Sequence, residues 1–133
     1  MFLYITLGTN NLPAAKQFYD AVMPTLGLGL RAEEPDEVGY GGSAPDRIQF
    51  WVTKPYNGLS ASTANGSMPA LVAPTRAAVD AFYAAGLAAG GTDEGAPGLR
   101  PYGANFYACY LRDPDGNKIS AVCEVPAYPP DPD

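Results

Sequence analysis

The sequence repeats itself weakly at a spacing of 64 residues, and this repeat constrains the fold more than any other feature. The pair Phe18-Tyr19 recurs as Phe82-Tyr83, and the same shift matches several alanines and glycines. These matched residues alone are weak evidence for a repeat, because alanine and glycine are common. Combined with a matching order of elements in both halves, however, the shift predicts two copies of one structural unit.

Apolar patterning gives both copies the order strand, helix, strand, strand, strand. Asn11 and Thr75 are typical helix N-caps, and each precedes an apolar stripe at helical spacing. In the first copy we predict strands at 3–8, 29–34, 37–42 and 47–53 and a helix at 12–25. In the second copy we predict strands at 68–74, 105–112 and 117–124, a helix at 75–89, and a loop at 92–104 with at most one short strand.

These elements fit a single domain of 133 residues, of which 47% are apolar. We expect a first module at 1–55, a connection at 56–67 and a second module at 68–125. The proline-rich tail, 126–133, is expected to be extended.

Charge and cysteine content exclude several classes of function. The net charge is −6, which is the wrong sign for nucleic acid and for anionic membrane surfaces. No apolar run approaches the ~20 residues of a membrane span, and the first residues lack the basic region of a signal peptide. Cys109 and Cys123 do not make a disulfide framework, so we expect reduced thiols and a cytoplasmic protein.

The absence of histidine constrains the chemistry. It removes the usual general base at neutral pH and the commonest metal ligand, and it excludes histidine-dependent nucleophilic arrangements. Any metal site would rest on carboxylates, thiolates or backbone oxygens.

Three stretches carry a resemblance to a known family. They are residues 4–28, residues 73–91 and residues 110–122, the last containing the turn Asp113-Pro114-Asp115-Gly116. Over almost its full length the chain resembles the vicinal oxygen chelate superfamily, which includes glyoxalases, bleomycin-resistance proteins and extradiol dioxygenases. The resemblance implies an α+β fold of two βαβββ modules that form a cup-shaped mixed sheet. Enzymes of that family hold a divalent metal in the cup.

The resemblance also locates the family's metal-ligand positions in this sequence. The two histidine positions fall on Tyr4 and Met68, and the glutamate after the turn falls on Ser120. The fourth position falls near Gln49 or Trp51. Since a phenol, a thioether and a hydroxyl suit neither Mg²⁺ nor Zn²⁺, we expect no metal and no cofactor.

Strand alternation and the resemblance together suggest an amphipathic pocket for a small organic ligand. Tyr4 is more plausible as a cavity wall than as a catalyst, and Met68 as a packing residue. Arg100 is the best candidate for an anion-recognising group, although a solvated loop charge is about equally plausible. The predicted ligand-binding residues are Tyr4, Thr6, Gln49, Trp51, Met68, Arg100, Tyr102, Tyr110 and Ser120.

Two functions remain open at this point. The first is a glyoxalase-like protein that binds or sequesters a small organic ligand without a catalytic metal, as bleomycin-resistance proteins do. The second is a metal-independent lyase or isomerase, similar to lactoylglutathione lyase, in which a tyrosine or an acid transfers a proton. A purely structural interaction module has no positive feature in its favour. By resemblance we expect a homodimer.

Overall fold

The computed structural model describes residues 1–44 and 47–127. The first half contains, in order, strand β1 (Ile5–Gly8), helix α1 (Leu12–Val22), a 3-10 helix (Met23–Leu26), and strands β2 (Gly29–Glu34), β3 (Glu37–Gly41) and β4 (Ile48–Thr53). The second half contains β5 (Ala70–Val72), helix α2 (Arg76–Ala88), β6 (Thr92–Leu99), β7 (Tyr107–Arg112) and β8 (Lys118–Cys123). Most of the predicted tail, residues 128–133, lies outside the described part of the chain.

Both helices begin as the sequence predicts. The Asn11 side chain accepts a hydrogen bond from the backbone N–H of Ala14, and the Thr75 hydroxyl accepts one from Ala78. Each cap satisfies a backbone N–H that has no partner within its helix. The first helical segment ends at Gly27, whose positive φ of 77° is a conformation that suits glycine.

The strands form two four-stranded sheets with the same topology. The first sheet has the order β1-β4-β3-β2 and the second has β5-β8-β7-β6. In each sheet the first strand pairs with the last one in parallel, and the other pairs are antiparallel. The shared topology of the two sheets confirms the two βαβββ units that the repeat predicts, and it confirms the α+β class.

The apolar core lies between the helices and one face of each sheet. The helices α1 and α2 also contact each other, and buried side chains of both halves form one cluster. Its largest members include Phe18, Tyr19, Phe82 and Leu111. The opposite face of each sheet, called here the open face, carries no helix of this chain within the described residues.

Strand β6 is the main error of the sequence prediction. Residues 92–99 form an eight-residue strand where a loop with at most one short strand was expected. The strand contains Gly95, Pro97 and Gly98, which are typical of loops and interrupt the alternation of apolar and polar residues. Its register with β7 shifts twice. Because β6 is an edge strand, Pro97 can occupy it without removing a hydrogen bond between central strands.

The Asp-Pro-Asp-Gly turn joins the two halves. Asp115 accepts hydrogen bonds from the Thr9 hydroxyl at 2.5 Å and from the backbone N–H of Asn10 at 2.8 Å. The Asn117 amide donates to the carbonyl of Gly8 at 3.0 Å. The turn that carries the resemblance therefore fastens the start of β8 to the end of β1.

Membrane-spanning helices are not found: no helix of the described residues is long and apolar enough to cross a bilayer.

Candidate functional site

Tyr110 and Ser120 lie directly opposite each other on β7 and β8. Ala108 lies on the same face of β7 as Tyr110, two residues before it, and it pairs with Val122. Cys109 and Leu111 point the other way, into the core. The second sheet therefore presents a phenol and a hydroxyl on its open face.

The hydroxyl of Ser120 is buried without a hydrogen-bond partner among the described residues. Its side chain is 0% exposed, whereas Tyr110 beside it is partly exposed. A buried hydroxyl without a partner costs about 1–3 kcal/mol of desolvation. A buried polar atom without a partner calls for an explanation in a native structure, and a ligand that reached Ser120 would supply the missing partner.

Two cations flank the ring of Tyr110. The guanidinium carbon of Arg100 lies 5.4 Å from the ring centroid, and Nζ of Lys118 lies 5.7 Å from it. Arg100 follows β6 and Lys118 begins β8, the two neighbours of β7, so the cations approach the ring from opposite sides. Arg100, Tyr110, Lys118 and Ser120 are called here the Tyr110 cluster.

Two glycines make room for the Arg100 side chain. A Cβ placed on Gly98 would lie 3.0 Å from Nη1 of Arg100, and one on Gly95 would lie 3.3 Å from Nη2. The guanidinium is held by backbone carbonyls, with Nη2 donating to Ala96 at 2.6 Å. Gly95 and Gly98, which make β6 resemble a loop in the sequence, thus have a structural role, because they let Arg100 lie against the strand.

The open face of the first sheet holds a second group of predicted residues. Thr6 on β1 lies beside Trp51 on β4. A Cβ placed on Gly39 would lie 2.8 Å from Cζ3 of Trp51 and 2.7 Å from Cγ2 of Ile48, so both side chains lie over Gly39. The pairing passes from Phe50 to Ile48 and skips Gln49. This bulge interrupts the regular alternation of side chains along β4 at Gln49.

The remaining predicted residues lie at the margins. Tyr4 and Met68 each precede the first strand of their half, and they are 53% and 38% exposed. Met68 is two residues before Ala70, which pairs with Ser120. Tyr102 is 70% exposed and packs its ring edge-to-face against Phe106 at 5.4 Å.

A cleft of about 200 Å³ lies where the two halves meet. Thr6 lines it from β1 and Lys118 from β8, so it connects the first sheet to the Tyr110 cluster. Thr6 is the one residue of the predicted set that lines it within the described chain. The polar side chains around it are those of Thr6, Ser62, Thr63, Ser67, Asn117 and Lys118.

Lys118 is the residue that sequence reasoning missed. It is two residues before Ser120 on β8, so strand alternation places both on the same face. This signal was available in the sequence. The location of Lys118 in the same cleft as Thr6 could not be predicted, because it depends on how the two halves pack.

Several titratable groups are buried in the core. Burial raises the pKa of Tyr19 well above its usual range, and the charge of Asp113 raises it further. Burial also raises the pKa of the Cys109 thiol to about 11. Cys109 and Cys123 are both free, as the sequence predicts, and both are buried. Protonated at neutral pH, the Tyr19 phenol and the Cys109 thiol are poor bases and poor nucleophiles.

Two βαβββ halves, each with a sheet face free of helices, define the class of fold. A model described as the Glyoxalase/Bleomycin resistance protein/Dioxygenase superfamily matches residues 2–121, and the chain belongs to this superfamily. No curated protein matches the chain.

Solved structures agree with this assignment. A glyoxalase/bleomycin resistance protein from Albidiferax ferrireducens T118 is 41% identical, covering 94% of this chain and 99% of that chain, with a TM-score of 0.83. A glyoxalase-related enzyme from Fulvimarina pelagi is 20% identical over 92% of this chain and 87% of that chain, with a TM-score of 0.72. Lactoylglutathione lyase from Agrobacterium tumefaciens is 23% identical over 92% of both chains, with a TM-score of 0.63. The last two likenesses show the fold alone.

The residues at the family's metal positions do not fit a divalent metal. Tyr4, Met68 and Ser120 offer a phenol, a thioether and a hydroxyl, without a carboxylate or an imidazole. Within residues 1–44 and 47–127, no group of three or more His, Cys, Asp or Glu is placed to hold a metal ion.

Proposed function

We propose that this chain is a glyoxalase-like protein that binds a small organic ligand on its open sheet faces without a catalytic metal. The observation that carries the proposal is the unpartnered hydroxyl of Ser120, next to the partly exposed ring of Tyr110. By the resemblance, this hydroxyl stands where enzymes of the family have a carboxylate. A polar atom without a partner beside an amphipathic aromatic ring is typical of a ligand site.

Binding is favoured over catalysis by the location of the perturbed groups. The groups whose pKa values are raised most are Tyr19, Tyr40 and Cys109, and their side chains belong to the buried core. A catalytic acid or base needs a pKa near the working pH and access to the substrate. These three groups have neither property.

A metal-independent lyase or isomerase of the glyoxalase family is the alternative. It is supported by the likeness in fold to the lyase from Agrobacterium tumefaciens and by the phenols of Tyr4 and Tyr110 outside the core. In such an enzyme one of these phenols would transfer a proton.

Native mass spectrometry of freshly purified protein, combined with a metal assay, tests the proposal first. We expect a retained organic molecule without stoichiometric metal. The retained compound is then titrated against wild type, Ser120→Phe and the control Leu87→Phe, which adds a ring on the exposed side of α2. Ser120→Phe should weaken binding at least about tenfold, because a ring fills the space beside Tyr110, while the control should bind normally.

The outcomes separate the two functions. Equal binding by Ser120→Phe and wild type contradicts this location of the site. Chemical conversion of the retained compound by metal-free protein, lost in Tyr4→Phe or Tyr110→Phe, supports the lyase or isomerase instead.

We further propose a homodimer. Phe2, Leu3 and Tyr4 are consecutive and more than half exposed, and they lead into β1, an edge strand of the first sheet. Val72 is 84% exposed on β5, the corresponding edge of the second sheet. Apolar residues at open strand edges are normally covered. A second copy has the matching pair of edges.

Sedimentation velocity tests the dimer. Wild type and the control Leu59→Asp, a change at an exposed position of the connection, should sediment as dimers. Leu3→Asp should shift the population towards monomer. A wild-type monomer at every concentration contradicts the proposal.

The free thiols Cys109 and Cys123 fit the reducing cytoplasm, where we place the protein.

A further inference from the structure

We propose that the Tyr110 cluster recognises a small organic dianion, with one anionic group beside Arg100 and the other beside Lys118. This inference rests on the proposed ligand-binding function and names the class of ligand. It runs against the overall charge of −6, which by itself favours a cationic ligand.

Among the residues that the structure describes, neither cation has a carboxylate partner. The ion pairs of the described residues join Lys16 to Asp20, Lys54 to Asp36 and Arg112 to Glu94. Arg112 shows the contrast, because it lies on the same face and is neutralised by Glu94 at 2.8 Å. Within residues 1–44 and 47–127, Arg100 donates to backbone carbonyls alone, and Lys118 is in contact with the ring of Tyr110. Positive charge therefore accumulates locally on the open face of an acidic protein.

The placement of the two cations favours a ligand with two charges. Arg100 and Lys118 approach the ring of Tyr110 from β6 and β8, on either side of β7. A compact anion beside one cation leaves the other without a partner. A ligand that spans the ring can give each cation a charge-assisted hydrogen bond.

The cleft beside Lys118 indicates what else the ligand carries. Thr6, Ser62, Thr63 and Ser67, which carry hydroxyl groups, line it together with Asn117, whose amide N–H groups are already bonded to Gly8 and Asp113. Ser120, also on the open face, has a hydroxyl without a partner in the described part of the chain. Hydroxyl and amide groups pair with hydroxyl or carbonyl oxygens, so the structure favours a hydroxylated or oxygenated dicarboxylic acid.

Four small probes separate charge from oxygen content. Malate has two carboxylates and a hydroxyl, succinate lacks the hydroxyl, lactate lacks one carboxylate, and malamide lacks both charges. Each is titrated into the full-length protein while backbone and side-chain NMR resonances are followed. We expect malate to perturb the resonances of Tyr110 and Lys118, to bind more tightly than succinate and lactate, and to lose affinity as salt is added. Malamide should have no effect.

Charge-removing variants locate the site. Arg100→Gln and Lys118→Gln should each weaken malate binding about tenfold or more, because each removes a charge-assisted hydrogen bond. Lys54→Gln is the matched control, since it makes the same change of charge at an exposed pair with Asp36, and it should bind as wild type does. Native circular dichroism spectra verify that all three variants fold.

Each other result overturns the inference. Malamide binding as well as malate shows that charge is not recognised, and undiminished binding by both Gln variants shows that the anion lies elsewhere. Lactate matching malate excludes the need for a second charge, and absence of binding by all three acids excludes this ligand class. In these cases a retained uncharged or cationic molecule would leave the proposed function intact. The absence of any bound small molecule would remove both.

Discussion

The hydroxyl of Tyr19 donates a hydrogen bond of 2.7 Å to Oδ2 of Asp113, and this contact joins helix α1 of the first half to the turn of the second half. Both residues are buried. The Asp113 carboxylate also accepts from the backbone N–H groups of Asp115 and Asn117 and from the Asn117 amide. The residues thus form a satisfied polar network inside an apolar interface.

Removing the Tyr19 hydroxyl should destabilise the protein. Tyr19→Phe deprives a buried carboxylate of one donor, and we expect a loss of about 1–3 kcal/mol in the free energy of unfolding, measured by urea denaturation. Tyr83→Phe is the control at the equivalent position of the repeat. Its hydrogen bond to Asp93 is exposed, so the loss should stay within about 0.5 kcal/mol. Equal losses would contradict the role given to the buried bond.

Stability should fall in alkaline solution. Burial raises the pKa of Tyr19 and of Tyr40 in the folded state, so an unfolded chain releases these protons at a lower pH. The stabilisation is complete below the ordinary tyrosine pKa of about 10 and is lost as the pH rises above it. Urea midpoints between about pH 8 and pH 11 measure this slope, which Tyr40→Phe should reduce. A flat profile would count against the direction of both shifts.

Ser120→Ala should separate stability from binding. It removes a buried hydroxyl without a partner, so the free energy of unfolding should stay unchanged or rise by up to about 1 kcal/mol. Affinity for the retained ligand should fall if the ligand bonds to Ser120. Thermal unfolding and titration of the same preparation provide both values. Marked destabilisation would show that the hydroxyl has a partner in the native state.

Gly39→Ala should displace the ring of Trp51. The added Cβ would lie within 3 Å of the ring and of Ile48, so one of them must move. We expect a shifted fluorescence maximum of the only tryptophan and a cost of about 1–2 kcal/mol. Gly42→Ala is the control, because nothing lies within 4 Å of its added Cβ. An unchanged Gly39→Ala spectrum would contradict the position of the ring.

Divalent metals should not stabilise the protein specifically. A metal that binds the native state raises the melting temperature by mass action, and the donor set at Tyr4, Met68 and Ser120 is unsuited to one. Scans with Ni²⁺, Zn²⁺, Mn²⁺ and Fe²⁺ should show no saturable shift. A shift abolished by Tyr4→Phe or Ser120→Ala would show that these residues do bind metal.

The architecture was predictable because its signals are local. Apolar spacing and the caps at Asn11 and Thr75 lie within a few residues of the helices they define. The pairing of Tyr110 with Ser120 follows from alternation across a short hairpin. Strand β6 escaped because its glycines and proline resemble loop sequence, although as an edge strand it tolerates them.

The site was only partly predictable because it depends on distant contacts. The sequence identifies Arg100 as a candidate in a loop, but not its contact with the ring of Tyr110. That contact is favoured by Gly95 and Gly98, which have no Cβ that would crowd the guanidinium. The bulge at Gln49 has no signature in the letters around it. The bond between Tyr19 and Asp113 spans 94 residues and follows only from the packing of the halves.

The Asp-Pro-Asp-Gly turn has a consequence for how sequences of this superfamily are interpreted. The carboxylates of Asp113 and Asp115 both accept hydrogen bonds from the first half of the chain, so they have a structural role. The residue at position 120 can therefore change while the turn still joins the two halves of the chain. Preservation of this turn is a sign of architectural integrity, and activity has to be judged from the residues that come after it.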